Sequence, residues 1–253
     1  MASVIGAQLY TLREFAKTPA DIGKTLARVR QIGYEAVQVS GLGPIDPKEL
    51  ATMMSDNGLT CAATHVPLNR LREETSAVID EHKLWNCRYT AVGGFFPKEA
   101  TTQDWINFAR EYSSIAGKCK AGGLALGYHN HSHELARFDG RTGLDLLIEH
   151  CSREVWWEID TYWIAHGGGD PAAWIRKVSG RIPCVHFKDM AITLKREQLM
   201  AEVGEGNLNW PEILRACKEA GVEWYLIEQD ICQRDPFESL KISLENLRAM
   251  GLT

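Results

Sequence analysis

The sequence predicts an α/β fold: a single (β/α)8 barrel, with residues 1–253 as one domain. Three observations predict it. Eight short apolar runs alternate with eight helix-like segments along the chain. No Gly-x-Gly-x-x-Gly follows the first run, and the Gly-Leu-Gly-Pro after the second opens no dinucleotide-type helix, so the competing open, doubly wound sheet loses its usual signature. No low-complexity linker or change of composition marks a second domain.

The expected strands, in order, are VIGAQL (4–9), YEAVQV (34–39), TCAATH (60–65), YTAV (89–92), LALGYH (124–129), VWWEID (155–160), IPCVHF (182–187) and EWYLIE (223–228). The helices between them carry start and stop chemistry. PADIGKTLARVRQIG begins with proline and ends with glycine. DPKELATMMSDNG offers Asp46 as N-cap and Pro47 at the first helical position. TTQDWINFAREYSSIAGKCKAGG gathers Trp105, Ile106, Phe108 and Ala109 on one face. NWPEILRACKEAG and DPFESLKISLENLRAMG repeat the pattern. Two long stretches read as irregular loops, HSHELARFDGRTG and DMAITLKREQLMAEVGEGNL. Both follow strands, where the functional loops of a barrel belong.

Hydrophobic content of 45% and charged content of 24% suit a soluble protein with a substantial core. A net charge of −5 argues against a nucleic-acid binder, which needs a basic face. The 7 cysteines are scattered without a Cys-x-x-Cys, so reduced, mostly buried thiols are expected rather than a disulfide framework or zinc knuckle. The first residues show no basic segment followed by an apolar run, and no apolar stretch is long enough for a bilayer. A cytoplasmic protein is expected, with no membrane partner.

Polar residues fall where a barrel places chemistry. His65, His129, Asp160, His186 and Glu228 stand at or near the C-terminal ends of strands three, five, six, seven and eight. Any one of them alone reads better as a loop cap or a hydrogen bond to a neighbouring helix; several at equivalent positions converge on one mouth. Mixed imidazole and carboxylate donors suit Mn²⁺, Co²⁺, Zn²⁺ or Fe²⁺ and argue against a thiolate zinc site. Strand alternation puts His131 on the face of His129, and Lys188 on the face of His186. Lys188 reads either as a group beside the metal or as an outward, solvated lysine. Glu158 lies one layer below Asp160, as a buried partner rather than a ligand. Tyr10, Trp163 and Phe187 are candidates for an apolar wall of the site and read equally as core. Gly167 to Gly169 read as a turn into an N-cap at Asp170 in preference to a phosphate cradle, and Asn209 reads as the N-cap of the next-to-last helix. His82, His150 and His166 read as surface or loop residues, and His133 as out of phase with the site.

With these residues placed, the chain resembles the xylose-isomerase-like TIM-barrel superfamily of sugar isomerases and epimerases, which includes inosose dehydratase and endonuclease IV. The resemblance covers nearly the whole chain and rests on YHNHSHE, EIDTYWIAHGGGDP, RIPCVHFKD, VGEGNLNW and YLIEQD in that order. It implies a divalent metal, with Mn²⁺ expected and Co²⁺, Zn²⁺, Fe²⁺ or Mg²⁺ as alternatives. Asp160, His186 and Glu228 match the ligands of strands six to eight. The strand-five position, usually Glu, is His129 here, with His131 as the alternative ligand. Trp163 replaces a substrate-binding His, and Glu134 lies near the second carboxylate of the epimerases.

A histidine whose lone pair is on a metal cannot act as a base. Two-base epimerisation is therefore the less favoured reading. Enolisation of a keto-sugar, keto-glycoside or cyclitol, ending in β-elimination or isomerisation, is the expected chemistry. Glu228, Lys188 and Glu134 are the acid/base candidates; His65, His131, Trp163 and Tyr10 are the substrate contacts. A small carbohydrate is the expected partner, and enzymes of this resemblance often pair with copies of themselves. A nuclease of the endonuclease IV kind would need a longer set of ligands than the chain supplies, and retention of Asp160, His186 and Glu228 argues against a non-catalytic sugar-binding barrel.

Overall fold

The computed structural model describes residues 4–252; residues 1–3 and 253, which fall in the domain expected over 1–253, lie outside the described residues. Eight strands form the barrel: β1 (Val4–Gln8), β2 (Ala36–Val39), β3 (Thr60–His65), β4 (Tyr89–Val92), β5 (Ala125–His129), β6 (Trp156–Asp160), β7 (Cys184–Phe187) and β8 (Trp224–Ile227). Each lies within its expected run. Neighbours in sequence are neighbours in the sheet, every barrel pair is parallel, and β1 pairs with β8 to close it.

Helices α1 (Pro19–Ile32), α2 (Pro47–Asp56), α3 (Leu68–Glu73), α4 (Thr75–Leu84), α5 (Thr102–Ala121), α6 (Gly143–His150), α7 (Thr161–His166), α8 (Pro171–Lys177), α9 (Trp210–Ala220) and α10 (Pro236–Ala249) fill the connections. The eight expected helices become ten among the described residues, because two helices follow β3 and two follow β6. The caps form as expected. Asp46, Asp170 and Asp235 each accept two amide N–H bonds at their helix starts, with proline next, and Asn209 caps α9. With Asp170 as cap, the Gly167–Gly169 stretch is a turn; a side chain at Gly167 would strike Leu135.

The two stretches expected to be irregular are partly ordered. Arg137–Phe138 pairs with Arg141–Thr142, and Asp189–Ile192 pairs with Gln198–Ala201 as a longer antiparallel hairpin. His82 is not a surface residue. It is 2% exposed, its Nδ1 donates to the Val78 carbonyl (2.7 Å), and its Nε2 meets the Thr64 hydroxyl (2.7 Å). Of its two readings, wall and core, Phe187 takes the core: it is fully buried between Trp210 and Tyr225. Alternation explains this, since its neighbour His186 takes the inward position. The thiols are free, and all but the half-buried Cys232 are buried.

The barrel interior divides into two layers. Ala36, Ala62, Ala63, Ala91, Trp156, Cys184 and Leu226 form an apolar floor. The Trp156 indole reaches across because its partner in register on β5 is Gly127; a Cβ there would lie 2.3 Å from the ring. Above the floor the inward positions turn polar: Gln8, Gln38, His129, Glu158, Asp160, His186 and Glu228, all buried.

Candidate active site at the barrel mouth

A chain of hydrogen bonds with a fixed direction supports the cluster from below. The Tyr10 amide donates to Gln8 Oε1 (3.2 Å). Gln8 Nε2 donates to Gln38 Oε1 (2.9 Å), and Gln38 Nε2 donates to Glu158 Oε1 (2.9 Å). Gln38 Oε1 therefore faces His186 Nε2 at 2.5 Å as an acceptor, and that nitrogen carries the hydrogen. His65 Nε2 takes the other oxygen of Glu158 at 2.5 Å. Burial alone would raise the Glu158 carboxyl, but His186 and His65 hold it well below the usual carboxylate range.

With Nε2 committed to Gln38, His186 turns Nδ1 toward two carboxylates, 3.0 Å from Glu228 Oε2 and 3.7 Å from Asp160 Oδ2, without hydrogen-bond geometry to either. His129 Nε2 lies 3.2 Å from Asp160 Oδ2, and its Nδ1 has no partner. One ligand atom from each of His129, Asp160, His186 and Glu228 lies within 4.8 Å of the others, and all four residues are buried. A lone pair facing carboxylate oxygens in a buried space calls for a cation between them. Burial lowers His186, but Glu158, Glu228 and Asp160 pull it well above the usual histidine range, so without a metal a proton fills this place. The donor set and the orphaned nitrogens fit a divalent ion of the Mn²⁺ to Zn²⁺ series. His65, Glu158 and His186 also lie close enough together to hold an ion, but both Glu158 oxygens are already bonded to Gln38 and His65.

Asp160 serves two purposes. Its Oδ1 accepts the Trp163 amide (2.9 Å) and caps α7, while Oδ2 faces the cluster. The cap leaves Oδ2 of this strand-end carboxylate free to face the cluster. Asn130 fixes the backbone beneath, its Oδ1 accepting the Asp160 amide (3.1 Å).

Lys188 shares the inward face of His186 and is 1% exposed, so the solvated-lysine reading is overturned. Its Nζ contacts Asp160 (3.0 Å), Glu228 (2.6 Å) and Asp230 (2.6 Å). Burial lowers its pKa, but these three carboxylates more than reverse that and raise it, so it stays an ammonium. Burial would raise Glu228, and Lys188 and His186 hold it well below the usual range. Asp230 is pushed up by burial and by Glu228.

A cavity of about 580 Å³ opens onto this cluster. Of the expected residues, His65, His129, His131, Glu228 and Tyr10 line it, Tyr10 at the rim with 37% exposure. Burial and the neighbouring His129 push His131 down to about 2, leaving a neutral ring. Of the expected acid/base and substrate residues, Lys188, Trp163 and Glu134 stand outside the cavity lining. Trp163 lies behind His131, ring centroids 5.2 Å apart. Glu134 is fully buried, accepting the Tyr128 hydroxyl (2.8 Å) and the His131 amide (2.9 Å). With both oxygens spent, it is a brace for the strand-five loop rather than a free acid or base. His133 donates to the Phe95 carbonyl (2.7 Å) away from the cluster.

Sequence reasoning passed over Gln8, Gln38 and Asp189. Gln8 and Gln38 share the polar inward register of otherwise apolar strands, the signal that could have found them. Asp189 gathers the amide of its neighbour Met190 (2.8 Å), three loop amides, Gly204 (2.9 Å), Gly206 (3.1 Å) and Leu208 (3.1 Å), and the Trp210 indole (2.5 Å), so VGEGNLNW is a loop folded around a carboxylate.

A model of the xylose isomerase-like TIM-barrel family matches residues 26–250. The chain is similar to inosose dehydratase of Geobacillus kaustophilus, 24% identical with 88% of this chain and 85% of that protein covered. It is also similar to the rhizopine catabolism protein MocC of Rhizobium meliloti, 26% identical over 59% of this chain; that match spans half the relative's length. Among solved structures, a sugar phosphate isomerase/epimerase of Parabacteroides distasonis superposes with a TM-score of 0.82 at 23% identity, covering 96% of this chain and 97% of that one. An L-ribulose 3-epimerase superposes at 0.75 with 20% identity, covering 99% and 94%. At these identities the superpositions show the fold. Among the described residues no helix is long and apolar enough to cross a membrane.

Proposed function

The chain belongs to the xylose isomerase-like TIM-barrel family, and from that premise we propose that it is a divalent-metal-dependent enzyme, acting as one barrel domain, that enolises a keto-sugar, keto-glycoside or cyclitol ketone. The reaction ends in β-elimination or isomerisation. The observation that carries this reading is the buried cluster at the cavity's inner end, where His186 turns a lone pair to two carboxylates. The relatives named inosose dehydratase support a cyclitol ketone within that class.

His129, Asp160, His186 and Glu228 would hold the ion, with Mn²⁺ the proposed occupant. When bound, it supplies Lewis-acid polarisation of the substrate's carbonyl oxygen. Glu228, whose carboxylate lines the cavity, removes the proton on the carbon beside the carbonyl. Asp230, on the same wall and with 21% of its side chain exposed, is placed to return a proton to the leaving oxygen. Lys188 holds both carboxylates from below and stays charged. His65, His131 and Tyr10 contact the substrate. A two-base epimerisation needs a second free carboxylate across the substrate; His129 replaces one, and Glu134 is tied to Tyr128 and His131.

The test uses chelator-stripped protein on inososes, 3-keto-glucosides and ketohexoses. Activity is expected to vanish on stripping and to return with Mn²⁺. Glu228→Gln is expected to lower kcat by roughly a hundredfold or more, the usual scale for a general base. Full activity in the stripped protein or in Glu228→Gln would sink the proposal.

A further inference from the structure

The cavity does not end at the cluster. Besides Glu228, Asp230 and the histidines, it is lined by Val39 at the end of β2 and Leu42 just after it, by Val66 and Pro67 between β3 and α3, and by Trp85 at the end of α4. Its volume of about 580 Å³ lies within the roughly 300–1,000 Å³ of clefts that take drug-sized ligands, more room than one sugar ring fills.

Among the described residues, the walls of this arm of the cavity carry no free charge. Its one cation, Arg70, is bound by Glu81 through both ends of the guanidinium (2.8 and 3.2 Å) and by Glu74 through Nε (3.0 Å). Trp85 has already donated its indole N–H to the Pro47 carbonyl (2.9 Å), so it offers its ring and no polar hydrogen. Near the inner end the cationic Lys188 is enclosed by three carboxylates, and the charged residues lining the cavity there are Glu228 and Asp230. A phosphate or carboxylate would meet acidic groups and find no unpaired cation.

We propose that this arm is a subsite for an uncharged, flat, apolar group joined to the sugar ring, so that the substrate is a neutral glycoside rather than a free or phosphorylated sugar. This rests on the carbohydrate reading above and narrows it. The polar ring sits at the cluster, and the appended group lies along Leu42 and Val66 against Trp85, where burial of apolar surface supplies affinity.

The test is calorimetric titration of the Mn²⁺-loaded protein with methyl β-D-glucoside, phenyl β-D-glucoside and glucose 6-phosphate. The phenyl glucoside is expected to bind at least tenfold more tightly than the methyl glucoside, and glucose 6-phosphate more weakly than either. Trp85→Ala is expected to erase the phenyl advantage and leave methyl glucoside binding unchanged. Leu42→Ser, a milder change on the same wall, is expected to reduce the advantage if the tryptophan variant does not fold. Equal binding of the two glucosides, or preference for the phosphate, overturns the subsite and leaves the carbohydrate reading standing. No binding of any of the three overturns the subsite, while the ketone assay described above decides the carbohydrate reading separately.

Discussion

One amide decides what His186 can do. Gln38 can accept from the imidazole because its own nitrogen is spent on Glu158, and that leaves Nδ1 bare toward Asp160 and Glu228. Partners that orient a ligand in this way commonly matter about 10–100-fold in metal affinity. Gln38→Ala is therefore expected to weaken Mn²⁺ binding by about that factor in a calorimetric titration, and unchanged affinity would count against Gln38 as the orienting group. His82 shows a different dependence. Burial lowers its pKa, so as pH falls through about 6.5 the unfolded chain takes up a proton that the folded chain resists. The stability held by neutral His82 is complete above that pH and declines below it, by about 1.4 kcal/mol per unit of depression. His129 and His131 are lowered too, so the comparison with a variant isolates the effect. Urea unfolding between pH 7.5 and 5.5 is expected to show a smaller loss in His82→Gln than in the parent; parallel losses would remove His82 from the account.

Elements were readable wherever pattern and punctuation agreed. All eight barrel strands lie inside their expected runs, because each is a short apolar stretch between a helix stop and a loop. Asp160, His186 and Glu228 stood out because an ionisable side chain closing an apolar run is costly to bury unless it has a partner or a task. Gln8 and Gln38 did not, since a glutamine in a strand carries no mark of what it will face across a barrel. Lys188 was ambiguous for the same reason: nothing local says that three carboxylates converge on it. Asp189 lies on the opposite face from Lys188, and its loop partners come 15 to 21 residues later in the chain. Its carboxylate replaces the missing order of the loop from Gly204 to Trp210. A side chain at Gly206 would lie 2.3 Å from that carboxylate, so the close approach needs glycine. An amide in place of the acid keeps only one accepting oxygen. Each oxygen of the acid accepts at least two donors, so Asp189→Asn is expected to lower unfolding stability by roughly 3–6 kcal/mol, the scale of two hydrogen bonds to a charged group. An unchanged denaturation midpoint would show that the loop is held by other means.

At the scale of the molecule, the barrel spends its lower interior on packing and its upper interior on polar chemistry. The boundary depends on Trp156 fitting over Gly127. Gly127→Ala forces a methyl group into that ring and is expected to destabilise the fold by roughly 1–3 kcal/mol, with thermal unfolding as the readout. An unaltered melting temperature would mean that the floor yields more easily than its packing implies. The sealed floor also sets the traffic through the protein. A vessel with a closed bottom has its doorways only on one side, so whatever arrives at Glu228 must depart by the way it came. In the proposed reaction a product that lingers bars the next arrival, and the pace of turnover then belongs to leaving as much as to bond breaking.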